Sequence, residues 1–109
     1  MPLKVASADD LQEFPFAEKT IKIFGKEYTF RELSVEENDD CADMARDKDG
    51  KINGRTMMRL MIISSSVTPK LTVESLAKMP QRVYLKVYDT VNELNNMTLD
   101  DDEEAEGNG

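Results

Sequence analysis

Apolar and polar residues alternate along residues 20–30. Ile21 and Ile23 flank Lys22 before Gly25-Lys26, and Tyr28 and Phe30 flank Thr29 after it. Period two on both sides of a short glycine turn predicts a β-hairpin, because Gly takes the positive φ a tight turn needs. The two-residue turn is read as Gly25-Lys26. The period then changes. Ser34 with Glu37 makes a capping box, opening a helix over about residues 35–47. Its apolar positions, Val35, Cys41, Ala42, Met44 and Ala45, form a thin face among many acids. That helix is expected to be exposed and weakly packed.

Asp49-Gly50-Lys51-Ile52-Asn53-Gly54 reads as a loop before a helix over about 54–66. There Met57, Met58, Leu60, Met61, Ile62 and Ile63 surround most of the circumference, which places a helix in the core or against a partner. Ser64-Ser65-Ser66 and Thr68-Pro69 stop it, since the residue before Pro disfavours helix. Thr72 is expected to cap a short helix through Met79, and Pro80 to start the last one. In that last helix Val83, Val87, Val91 and Leu94 recur every three or four residues, the clearest amphipathic pattern in the chain. Asn95-Asn96 is read as its end.

The fold class predicted is α+β: an N-terminal β-hairpin packed with three to four α-helices. The organisation expected is an irregular arm over 1–18, one domain over 19–97, and a disordered acidic tail over 98–109. Phe14 and Phe16 in the arm are available either to dock on the core or to form a short strand. An isolated hairpin is marginal in water, so helices must cover its apolar face or further strands must extend it. An exposed hairpin edge would also offer a route to self-association.

Charge sharpens this division. The net charge is −8 over 109 residues, but residues 100–106 hold six acids, leaving 1–99 with sixteen acids against fourteen bases. Like charges with nothing apolar to bury predict disorder for the tail. The acidic balance argues against nucleic acid as a partner, since phosphate contacts need clustered Lys and Arg. The longest apolar run, Leu60–Ile63, is far too short to span a bilayer. The opening Met-Pro-Leu-Lys-Val-Ala-Ser has no signal-peptide core, and the lone Cys41 fits a reducing compartment. A soluble cytoplasmic protein with no membrane partner is expected.

Candidate chemistry is sparse. Asp47-Lys48-Asp49-Gly50-Lys51 imitates the start of a calcium loop. However, Lys51 stands where an oxygen ligand is wanted, Ile52 replaces the turn glycine, and Met58 replaces the bidentate Glu. No His exists to act as base or metal ligand. Cys41 lies among Asp39, Asp40 and Asp43, which disfavour a thiolate. Paired acids such as Glu36-Glu37 read more simply as a solvated helix face than as an acid–base pair. No enzyme, metal or cofactor is expected. Thioether surfaces adapt to varied apolar partners, so the Met cluster reads either as core filler or as a binding face.

The chain resembles the tail assembly chaperones of long-tailed bacteriophages and prophages. The matching segments are Phe24–Glu37, then Gly50-Lys51-Ile52-Asn53, then Ile62–Thr72, then Leu76-Ala77-Lys78-Met79-Pro80 opening a helix that ends near Leu94-Asn95. They follow in order over roughly residues 20–96. The resemblance implies a small protein of the host bacterial cytoplasm, missing from the mature virion. Such a protein binds the tape measure protein, keeps it soluble, and helps recruit major tail protein as the tube forms. It also implies that the acidic end terminates the short form of a frameshifted pair. Tape measure helices would be taken helix-in-groove, on a surface formed or supported by Met57, Met58, Met61, Val83, Val87 and Tyr88. The rival class is a small structural virion protein, a head–tail connector or tail completion protein. A host regulatory or anti-repressor module is the third reading.

Overall fold

The computed structural model describes residue 7 and residues 14–107, with side chains as far as Asn96. Strands β1 (Glu18–Ile23) and β2 (Lys26–Arg31) form the expected hairpin, with Ile21 opposite Tyr28 and Lys19 opposite Phe30. This register puts Ile21, Ile23, Tyr28 and Phe30 on one face. Glu18, Thr20, Lys22, Glu27, Thr29 and Arg31 lie on the other. Thr20 and Thr29 share a hydroxyl hydrogen bond of 2.8 Å on that polar face.

The turn is Phe24-Gly25, one residue earlier than the sequence reading placed it. Both residues have positive φ, 52° and 79°. Two consecutive positive φ values make the type I′ geometry that matches strand twist. Gly25 supplies one of them freely. Phe24 supplies the other against its side chain's steric preference, which is why the pattern misplaced the turn.

The sheet has a third strand. Helix α1 (Val35–Met44) and helix α2 (Gly54–Ser65) follow the hairpin, and β3 (Ser66–Thr68) then pairs antiparallel with β2. The order is β1-β2-β3, with an irregularity at Thr29/Phe30. Ser64-Ser65-Ser66 therefore does more than stop a helix. The Ser65 hydroxyl donates to the Arg31 carbonyl. The Ser66 hydroxyl donates to the Ile63 carbonyl at 2.7 Å and accepts the Leu71 amide at 2.9 Å. These bonds satisfy both buried serines and weld the end of α2 to the sheet.

Helix α3 (Val73–Ala77) is capped by Thr72 as expected, with Ser75 completing the box, and α4 (Gln81–Gly107) begins just after Pro80. Val83, Val87, Val91 and Leu94 of α4 pack with Ile23 and Phe30 of the sheet, Ile62 of α2, and Leu71 and Leu76. That is the core. The architecture is the α+β class predicted: a sheet with α4 across its apolar face and α2 lying against α1, α3 and α4.

Asn95 was read as part of a helix stop; the helical backbone instead continues past it. Its amide nitrogen donates to the Val91 carbonyl at 2.8 Å, and its Oδ1 accepts the Leu33 amide at 3.0 Å. Satisfying the helix from within leaves Asn95 free to tie α4 to the β2–α1 connection. Of the expected arm, residues 1–6 and 8–13 lie outside the described residues, as do the side chains of the acidic tail. Residues 14–17 have no regular structure, and Phe14 and Phe16 are exposed, so they neither enter the core nor form a strand.

Candidate functional site

The α1 start is where polar bonds and exposed apolar side chains meet. The Ser34 hydroxyl accepts the Glu37 amide at 3.1 Å, and the Glu37 carboxylate accepts the Ser34 amide at 3.0 Å, the reciprocal box read from the sequence. Arg31 adds a fork. Its two terminal nitrogens donate to the two Glu37 oxygens at 2.8 and 2.6 Å. This paired geometry is the strongest form of carboxylate recognition. The hydrogen bond from Arg31, with a smaller contribution from the Ser34 amide, holds the Glu37 carboxyl at about 2, below its ordinary 4.5 and against the opposing effect of burial. The same hydrogen bond raises Arg31.

The Arg31 guanidinium also lies 5.6 Å from the centroid of the Phe16 ring. The Ala17 amide donates to Glu32 Oε1 at 3.1 Å, and the Glu32 amide donates to the Ala17 carbonyl at 2.8 Å. Phe16 and Ala17 are thus tied to the end of β2. A groove of about 440 Å³ runs between Phe14, Pro15 and Phe16 on one side and Leu33, Ser34 and Val35 on the other. A second recess of about 320 Å³ shares Leu33–Val35 and extends to Met61, Asn95 and Asn96. Val35 and Phe14 are both more than two-thirds exposed, so the rim is apolar and open to solvent.

The six residues expected to form or support a partner surface divide. Val83 and Val87 are core residues; Val87 has no exposed surface and can only support one, while Val83 keeps a small exposed edge. Met58 and Met61 are half-buried against the core, and Met57 is half-buried on α2. Met61 alone of the six reaches the groove at Leu33–Val35. Tyr88 is 37% exposed, its ring 6.3 Å from that of Tyr84, away from that groove. Sequence reasoning missed Phe14, Phe16, Leu33 and Val35 as a joint surface. Their signal was present only as apolar residues in polar surroundings.

The calcium-loop imitation is a turn. Asp47 Oδ1 accepts the amides of Asp49 at 2.8 Å and Lys51 at 3.0 Å, and Gly50 takes φ 81°. The carboxylate is spent on backbone amides. Cys41 is buried, 3.8 Å from the Ser64 hydroxyl. Among the described residues no three His, Cys, Asp or Glu side chains group as metal ligands, and no helix is long and apolar enough to cross a membrane. Comparison of the chain with family models, with curated proteins and with solved structures finds no match.

Proposed function

We propose that this protein is a tail assembly chaperone of a long-tailed phage or prophage, binding the tape measure protein and holding it soluble until the tube forms. The observation that carries the reading is the exposed apolar groove between Phe14–Phe16 and Leu33–Val35, continued towards Met61. An amphipathic helix laid there would bury its apolar face on aromatic and aliphatic side chains while its polar face stays in water. The ordered resemblance over residues 20–96 supports the same reading. A binding role also suits side chains whose polar groups are spent on structure: Glu37, Arg31, Asp47 and Asn95 each hold the fold's own amides or partners.

The partner surface is assigned to Phe14, Phe16, Val35 and Met61, over a buried Leu33, with Val83 and Val87 as core. Recruitment of major tail protein, residence in the bacterial cytoplasm and absence from the virion belong to the same proposal. Co-expression with the tape measure protein of the same genome tests it. The partner is expected in the soluble fraction with this chain and in the pellet without it or with Val35→Glu plus Phe16→Glu. A tape measure protein equally soluble in every case ends the chaperone reading. Finding the chain in purified particles would favour the connector class instead.

A further inference from the structure

A second surface breaks a local rule of the backbone without burying the side chain that breaks it. Phe24 sits at φ 52° in the hairpin turn and is 72% exposed. Left-handed backbone crowds the Cβ of a bulky residue, whereas Asn or Gly would fill this turn position readily. The ring is not buried in return. The Arg82 guanidinium lies over it, 5.3 Å from the centroid.

Around it, Lys22, Ile23, Phe24, Arg82, Val83 and Lys86 line a recess of about 230 Å³. Its floor is apolar and its rim is cationic. Lys19, Arg31, Arg46 and Lys78 each pair with a carboxylate, whereas Lys22, Arg82 and Lys86 form no ion pair among the described residues. Glu27 stands opposite Lys22 in the hairpin register and still makes no ion pair with it. The first turn of α4 adds the positive end of its dipole at the same place. An acidic protein thus keeps a basic recess without an ion pair among the described residues, beside an exposed aromatic.

The chain carries a matching ligand. Leu99 precedes Asp100, Asp101, Asp102, Glu103, Glu104 and Glu106, an apolar residue followed by six acids in seven positions. Helix α4 begins at the recess, rises about 21 Å from Arg82 to Asn96, and carries this run away from its own recess. We propose that the recess receives the acidic run of a second copy, with Leu99 against Ile23, Phe24 and Val83 and the carboxylates on Lys22, Arg82 and Lys86. The contact joins unlike ends, so it is heterologous and can build rings or open chains. It is also salt-dependent, because the rim is exposed. It stands independently of the chaperone reading.

The test is fluorescence anisotropy of a labelled peptide of residues 96–107 titrated with the full chain, beside sedimentation velocity of the chain at ~20 and ~500 mM salt. Peptide binding and low-salt association that disappear at high salt are expected. Arg82→Glu with Lys86→Glu should weaken binding at least ~10-fold, and a peptide with its acids changed to Lys should restore it. Phe24→Gly should raise Tm, since Gly accepts positive φ freely, while weakening peptide binding several-fold. That pair of opposite effects separates a binding role from a structural one. A peptide that fails to bind, that binds the double variant equally, or that is unaffected by Phe24→Gly overturns the proposal. So does a monomeric chain that admits the peptide only after its own residues 98–109 are removed.

Discussion

Helices α1 and α4 are held in the fold by different physics. α4 buries Val83, Val87, Val91 and Leu94 against Ile23, Phe30 and Ile62, a continuous apolar stripe that needs no specific partner to be stable. Within α1 only Cys41 is buried; Ala45, its C-cap, joins it, while Val35 and Met44 face solvent. Beside this small contact with α2, α1 is fixed at its start by directed polar bonds: the capping box, the Arg31 fork on Glu37, and the tie from Leu33 to Asn95. Apolar burial is diffuse and insensitive to pH. Directed bonds are few, and each can be broken singly. The apolar rim proposed as the partner surface sits on the polar-held side, where exposed side chains can be spent on a partner without emptying the core.

The core side should show the largest losses. Phe30→Ala removes a fully buried ring and is expected to destabilise by about 3–5 kcal/mol, with Leu94→Ala at about 2–5. In denaturant titration by circular dichroism, strand and helix signals should disappear in one transition. Unchanged midpoints would mean the stripe is not the core. Next comes the hinge between the two regions. Asn95→Ala leaves the Leu33 amide without its acceptor and is expected to destabilise by about 1–3 kcal/mol.

Glu37→Ala removes the capping box and the ion pair together, an expected loss of about 1–2 kcal/mol. Its mark is local: amide exchange should quicken along α1 more than along the buried stretch of α4. Equal acceleration in both helices would erase the contrast. The same carboxylate sets a pH window. Its folded value, about 2, lies below the ordinary 4.5, so the unfolded chain binds the extra proton. Stability from this group is therefore full above about 4.5 and is lost as pH falls towards about 2. Glu37→Gln should flatten that part of the stability–pH curve. The smallest effect belongs to an exposed pair: Lys19→Ala, which breaks the bridge to Glu93, should change stability by no more than about 1 kcal/mol.

The features legible in the sequence are those encoded within a few residues. Ser34 and Glu37, or Thr72 before α3, carry their caps in their own spacing. The Val83–Val87–Val91–Leu94 stripe carries its face in its period. The turn was misplaced by one residue because Phe24 occupies a conformation its side chain does not advertise. Strand β3, three residues long, exists because β2 offers a ladder to Ser66–Thr68, and nothing local announces that. The partner surface was the least legible. Val87 and Val35 look alike in sequence, yet one has no exposed surface and the other is mostly exposed.

By itself the sequence determined the hairpin strands and the helices, the caps at Ser34 and Thr72, the α+β class and the acidic end, since each follows from local sterics, periodicity or composition. Tertiary structure alone decided which apolar residues remain at the surface. It placed Phe14 and Phe16 beside Leu33 and Val35, extended the sheet with β3, and set Arg82 and Lys86, without an ion pair among the described residues, beside Phe24. Burial and pairing depend on residues tens of positions apart, and proximity of that kind is a property of the packed chain rather than of any segment of it.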